Sequence, residues 1–457
     1  MDSISRRRFL KTSATAVAAA GALPSLHVLG ANEKVVLGVM GVGGRGTLLT
    51  GFFAQRDDTA IAWITDPDRR KFARACAVVE KTQGRTPKTD QDFRKMLEDK
   101  SVDAIINATP DHWHCLGSIL ACQAGKDVYV EKPMSYNIFE GRKLVEAAAK
   151  YKRVVQVGMQ SRSAPYVQKA VDCIRDGKLG EVRLVRVFNV MQHPMMKPGK
   201  EEPVPAELDY DMWCGPAAKL PYNPSRHWLN MWEYSCGPIP GDAVHQIDLA
   251  RCLMGDPPSP KTVMHMGGIE VLKDGRDTPD TQYAIYEYDH FTMLFQGALW
   301  MPYMHKIDRA IRDSDRYPDW LWCATRVEIC GTKGIMLFGR HGGGWQVFGN
   351  NKVADRLPGS TSTNDNKIVD QLPGRQGDPQ HIENFLQCIR SRKKPNADPE
   401  QGHLSCVVCH LANIAWRVGN QKLLFDGRTE TFPDCPEANK HLKRASYRKP
   451  WVVPENV

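Results

Sequence analysis

Gly41-Val42-Gly43-Gly44-Arg45-Gly46 is a G-x-G-x-x-G run, a spacing suited to holding a pyrophosphate. Gly41 permits a tight turn, Gly43 lets the backbone approach the phosphates, and Gly46 lets a helix pack closely on the preceding strand. Free amides where that helix starts, around Gly44 and Arg45, then face the phosphates. Asp66 follows twenty residues beyond Gly46. A carboxylate there accepts the ribose hydroxyls of NAD and repels a 2′-phosphate, although Arg69 and Arg70 just behind it keep NADP open. Glycine-rich loops also serve other ligands. Here strand, glycines, helix, strand and acid fall in register, and that points to a nicotinamide dinucleotide.

Those residues need a scaffold to hold them. Residues 34–40 read as a short buried strand, 47–54 as a helix and 60–65 as a second strand. Helices over 90–98, 116–124 and 138–150 then alternate with strands over 102–108, 127–130 and 154–157. Such alternation predicts an α/β domain, a Rossmann-type doubly wound parallel sheet covered on both faces. Ligands of such sheets lie beyond the carboxyl ends of the strands. Thr109, Pro110 and His114 fall at one of those ends, and Glu131-Lys132-Pro133 at another.

From about residue 158 the texture changes. Segments over 182–190, 261–266, 281–288, 292–298 and 326–330 are β-rich, predicting a C-terminal α+β domain with a large, mostly antiparallel sheet. Residues 338–380 read as a loop-rich insertion. The expected divisions are therefore a leader over 1–30, a dinucleotide domain over 31–157 and a C-terminal domain over 158–457.

Beyond the glycine run, three stretches carry a resemblance: Asn107-Ala-Thr-Pro-Asp-His-Trp-His114, Gly125-Lys-Asp-Val-Tyr-Val-Glu-Lys-Pro133 and Asp176-Gly-Lys-Leu-Gly-Glu-Val182. With residues 381–419, they resemble the Gfo/Idh/MocA oxidoreductases over nearly all of the chain after Ala31. The resemblance implies that Lys132 lies beside the nicotinamide and the substrate hydroxyl, where an ammonium stabilises developing alkoxide and passes a proton. It also implies that the exposed face of the second sheet makes homo-oligomers.

Many members of that family read D-x-G-x-H-x-x-D in the second domain, the first acid and the histidine flanking the reacting carbon. In Gly241-Asp242-Ala-Val-His245-Gln-Ile-Asp248 the histidine and last acid match, but Gly241 stands where the first acid belongs. One residue on an α-helix is a rotation of about 100°. Asp242 therefore either takes part in catalysis or caps the helix with its carboxylate. His245 is the candidate base, because an imidazole titrates near neutral pH. Asp248 either orients His245 or holds its helix on the sheet. Gln160 and Arg162 either reach sugar hydroxyls or serve as surface polar groups, and Trp213, His227, Trp228 and Trp232 either pack in the core or point weakly to carbohydrate.

Cys406-Val-Val-Cys-His410 has the C-x-x-C-H form of a haem attachment site. It lies inside an amphipathic helix expected over 398–419, and zinc there lacks a second ligand pair, so no metal is assigned. Thirteen cysteines in 457 residues are too sparse for a disulfide scaffold and read mainly as small core residues. Ser5-Arg-Arg-Arg-Phe-Leu-Lys11 ahead of an alanine-rich stretch resembles a twin-arginine export signal. This predicts recognition by that export machinery and a periplasmic or otherwise exported protein. Three of the nine units of net positive charge lie in that leader, so the remainder is only mildly basic and gives no case for nucleic acid.

The expected activity is hydride transfer between NAD and a sugar or polyol. A glycoside-cleaving enzyme using transient oxidation and elimination is the alternative; family members of that kind typically replace the lysine found here as Lys132. A non-catalytic NAD- or sugar-binding protein is the third reading.

Overall fold

The computed structural model describes residues 34–193, 195–197, 199–349 and 367–457; the twin-arginine segment lies outside them. Six short strands open this part of the chain: β1 (Val35–Met40), β2 (Thr59–Thr65), β3 (Lys88–Asp90), β4 (Ala104–Asn107), β5 (Asp127–Val130) and β6 (Val155–Val157). They form one sheet in the order β3-β2-β1-β4-β5-β6, parallel throughout. β4 and β5 are buried along their whole length, as strands covered on both faces must be. Each crossover carries a helix or a short helical turn. Strand order reverses between β1 and β4, so a crevice opens beyond their carboxyl ends.

Two helix boundaries differ from expectation. The helix expected over 90–98 begins at Phe93, because Asp90 completes β3 and Asp92 caps the helix by accepting from the Arg94 amide. The helix expected from 116 starts at Asp111, directly after Pro110, whose fixed φ suits the capping position.

The second sheet has nine strands: β7 (Val182–Val190), β8 (Thr262–Gly268), β9 (Thr281–Glu287), β10 (Thr292–Ala298), β11 (Arg326–Gly331), β12 (Gly334–Gly339), β13 (Trp345–Gly349), β14 (Lys367–Leu372) and β15 (Leu423–Leu424). Their order is β14-β13-β12-β11-β7-β10-β9-β8-β15. Only β7 and β10 pair in parallel. The insertion expected over 338–380 is instead partly sheet, holding β13 and β14. Its glycine content misleads because Gly342, Gly343 and Gly344 all take positive φ and turn the chain sharply from β12 into β13.

Helices Asp378–Ser391 and Pro399–Arg417 return the chain to the first lobe. The Val157 amide donates to Ala397 O at 2.9 Å, and one apolar core runs from Leu144 and Val157 through Val407 and Leu411 to Tyr286. Cys406, Cys409 and His410 are buried inside the second of these helices. Cys409 donates to Ser405 O, and the His410 ring meets Ser135 O at 3.2 Å, so the C-x-x-C-H residues serve packing. Ten of the thirteen cysteines are buried, all but Cys252, Cys330 and Cys435.

Candidate active site

A cleft of about 390 Å³ opens at the strand-order reversal, with Gly41, Asp66, Lys132 and Asp242 among its walls. The glycines perform three separate jobs. Gly41 has φ +85°, and a Cβ there would stand 2.9 Å from Ala108 O. A Cβ on Gly46 would stand 1.9 Å from Gly41 O, which is where helix and strand touch. Gly43 and Gly44 meet nothing within 4 Å, so their backbone faces open space at the start of helix Gly44–Ala54. That cradle fits a pyrophosphate and would be filled by a side chain.

Opposite substitutions separate these roles. Gly46→Ala is expected to destabilise the fold by about 1–3 kcal/mol, because backbone must move. Gly43→Ala, at φ −64°, is expected to fold normally yet lose at least about tenfold in NAD affinity. Thermal unfolding and an NAD titration of both variants check this; equal unfolding temperatures would remove the distinction.

Asp66 is buried, and its carboxylate accepts from the Val42 and Asp68 amides, each at 2.9 Å. Burial pushes its pKa up against the opposing pull of Lys71, whose Nζ lies 3.4 Å away. The two arginines that kept NADP open are held elsewhere. Arg70 forks onto Asp68 at 2.7 and 2.8 Å, and Arg69 stands 3.9 Å from Glu207. Lys71 is the cation left beside Asp66 in the cleft wall.

Thr109 donates to Asn107 Oδ1, and Pro110 caps helix Asp111–Gln123. His114 lines the cleft, but its ring nitrogens sit against Pro133 O at 2.6 Å and Thr109 O at 2.8 Å, so it clamps two loops together. Glu131 accepts from Arg45 Nε at 2.7 Å and from the Lys132 amide at 3.1 Å. Burial works against its charge, yet Arg45 and Lys132 hold its pKa below the usual value. The Lys132–Pro133 peptide is cis, and Lys132 Nζ donates to Gly241 O at 2.5 Å.

Gly241 and Asp242 lie in a π-helical turn, Ile239–Ala243, that feeds helix Val244–Leu253. Its wider i→i+5 winding alters the rotation assumed for an α-helix. Asp242 lines the cleft with Lys132 and makes no capping bond. Its carboxylate stands 3.6 Å from Arg340 Nη1 and 3.8 Å from Lys306 Nζ. Burial opposes its ionisation, but Arg340, Lys306, Lys132 and His193 hold its pKa down to about 2. His245 is 6% exposed, and burial, with Arg340 and Lys132 nearby, drives its pKa far down and keeps the ring neutral.

Gln160 and Arg162, expected at sugar hydroxyls, and Asp248, a further candidate at the substrate, are engaged inside the protein. Arg162 binds Asp248 at 2.8 and 2.9 Å and Asp256 at 2.7 and 3.0 Å. Asp248 takes Ser405 Oγ as well, so it fastens its helix rather than orienting His245. Gln160 donates to Tyr129 OH. These are corrections: buried pairing consumes the polar atoms that sugar binding would need. Trp213 and Trp228 do line the cleft, whereas Trp232 stacks on Trp416 outside it. Sequence reasoning missed His193, Lys306 and Arg340, which stand in the loops that follow β7, β10 and β12 and carry no motif. A second cavity, about 660 Å³, holds Arg444 and Arg448, but these pair with Glu233 and Asp211. The motif residues Gly41, Asp66, Lys132 and Asp242 gather instead in the glycine-lined cleft.

Residues 35–159 match the oxidoreductase family described as an NAD-binding Rossmann fold, and residues 171–413 match its C-terminal alpha/beta domain. The chain belongs to the Gfo/Idh/MocA oxidoreductase family. Its cofactor is accordingly NAD, and the open cradle at Gly43 and the cleft-facing Asp66 fit that group. A glycosyl hydrolase family 109 protein of Stenotrophomonas maltophilia is 36% identical over 137 residues, 29% of this chain and 30% of that protein. Myo-inositol 2-dehydrogenase of Thermotoga maritima is 24% identical over 222 residues, 48% of this chain and 55% of that enzyme. The chain thus spans about a third to a half of the length of these relatives. The WlbA dehydrogenase of Bordetella pertussis, solved with NADH and UDP-GlcNAcA, superposes with a TM-score of 0.61 at 19% identity, covering 86% of this chain and 99% of that one. That likeness establishes the fold.

Proposed function

We propose that the protein moves hydride between NAD and a carbinol carbon of a sugar or polyol. The observation that carries this reading is that Lys132 and Asp242 line the same cleft as the phosphate-binding glycines. Bound NAD supplies the hydride acceptor or donor. Lys132 stabilises negative charge on the reacting oxygen, and its bond to Gly241 O fixes where the ammonium points. His245, uncharged and buried behind the cleft wall, is the candidate to take the hydroxyl proton against the opposing field of Arg340 and Lys132, and ionised Asp242 balances the ammonium. Trp213 and Trp228 offer aromatic faces to a sugar ring. Sugar relatives such as the inositol dehydrogenase support the substrate class.

The test is native mass spectrometry for bound nicotinamide, then a panel of sugars and polyols read by NADH absorbance. Bound cofactor reduced by a neutral or acidic sugar is expected; protein that holds no nicotinamide and takes up none defeats the reading. The family 109 relative favours glycoside elimination as a second reading. Cleavage of an aryl glycoside without net NADH would replace the first with it.

We further propose export through the twin-arginine leader and assembly with a second copy through the second sheet. Met264 pairs across from Ile285 and Met266 from Tyr283, and all four are at least 37% exposed, a stripe suited to a partner sheet. Light scattering that gives a monomer, or retention in the cytoplasm on fractionation, would reject the respective proposal.

A further inference from the structure

We propose that the sugar carries a carboxylate, which docks between Lys306 and Arg340 at the end of the cleft beyond Asp242. This rests on the redox reading above and narrows its substrate class.

Charge bookkeeping around Asp242 does not balance. Three cationic side chains, Lys132, Lys306 and Arg340, surround this carboxylate, burial lowering the pKa of the last two, and His193, His245 and His341 stand in the same field. Arg45 and Asp378, which also reach Arg340, are paired with one another at 3.3 Å. Arg312 adds a further cation near Lys306 and Arg340, its Nε donating to Ile307 O. Glu131 also faces Lys132, and Asp308 and Asp313 face Arg312, which leaves Asp242 as the one carboxylate within 4 Å of Lys306 and Arg340 among the described residues.

It does not satisfy them. Its oxygens stand 3.6 and 3.8 Å from Arg340 and Lys306, beyond hydrogen-bond length. Arg340 Nη1, Asp242 Oδ2 and His193 Nε2 are all buried without a hydrogen-bond partner among the described residues. The Arg340 side chain is only 10% exposed, so its desolvated guanidinium lacks full compensation. His193 lines both the glycine-walled cleft and an adjoining open hollow that Lys306 also lines, so the two share a wall.

The size of the excess sets the class of ligand. Asp242 offsets one of the three nearest cations, and the reacting oxygen engages Lys132. One positive unit is left, which matches a singly charged carboxylate better than a doubly charged phosphate. A planar carboxylate also suits the arginine fork.

The probes are gluconate, glucose and glucose 6-phosphate, tested on NAD-loaded protein by calorimetric binding and by turnover. Gluconate is expected to bind at least about tenfold more tightly than glucose, the scale of one charge-assisted hydrogen bond. In Lys306→Met, a change at a partly exposed side chain, the preference for gluconate over glucose is expected to fall by about the same factor. Arg340→Gln should do likewise, with Arg340→Lys restoring part of the preference. Equal affinity for gluconate and glucose, tighter binding of the phosphate ester, or an unaltered preference in Lys306→Met overturns the proposal. Gluconate binding without any hydride transfer would leave the proposal standing and defeat the redox reading. Turnover of neutral sugars without gluconate preference would do the reverse.

Discussion

Replacing Lys132 by methionine is expected to lower turnover by about 10²–10⁴-fold while the protein folds and retains nicotinamide. The side chain makes one polar contact, to Gly241 O, and lies partly open to the cleft. Its loss removes no buried partner's only bond, since a carbonyl at a cleft wall can turn to water. What disappears is the positive charge that meets the reacting oxygen. Arginine should rescue poorly, because a planar fork on a longer stem cannot place one point charge at the same spot. Single-turnover rates with native mass spectrometry of the same samples separate chemistry from cofactor loss. A methionine variant within tenfold of the parent would remove Lys132 from the chemical step.

Gly241 sharpens that expectation. A Cβ there meets nothing within 4 Å, so the space beside the ammonium is open where related sequences carry an acid. The chain answers with a backbone carbonyl as the lysine's partner and moves its carboxylate to Asp242. The π turn makes the second arrangement workable, since Asp242 still reaches the cleft. Sequence alone counts residues and assumes 100° for each; it has no signal for a local change of winding.

The first lobe was legible because its information is local. Strand, glycine turn, helix and acid occupy one continuous stretch, and Gly41 and Gly46 answer steric demands made by neighbours close in sequence or by the adjoining strand. The parallel sheet covered on both faces followed from the alternation of strands and helices. Arg340 and Lys306 were not legible. One follows β12 and the other β10, and only the assembled sheet brings them to Asp242. Nothing in the local pattern around either marks it. Arg162 shows the opposite error: a polar residue just past a strand end looked available until the fold supplied partners 86 and 94 positions away.

That buried network leads to the largest stability effect expected. Arg162→Met should cost about 3–5 kcal/mol, because it leaves a charged group stranded rather than removing a whole pair. The Arg162 and Asp248 side chains are 4% and 1% exposed. With the arginine gone, Asp248 keeps Ser405 Oγ and the field of Arg251 but loses two short bonds. Burial already pushes the Asp248 pKa up, with Arg162 opposing, so the variant raises it further. The sign then follows. A carboxylate whose folded pKa exceeds its unfolded value binds more protons when folded, so its contribution to stability falls as pH rises between the two. The deficit of Arg162→Met should therefore be greatest at neutral pH and shrink as the pH falls toward the ordinary carboxylate value. Replacing Asp248 by leucine in the same chain should recover part of the loss at neutral pH, because the stranded charge is gone. Urea unfolding of both variants at neutral and mildly acidic pH measures this. A pH-independent deficit, or a sugar KM that rises while stability holds, would return Arg162 to the substrate.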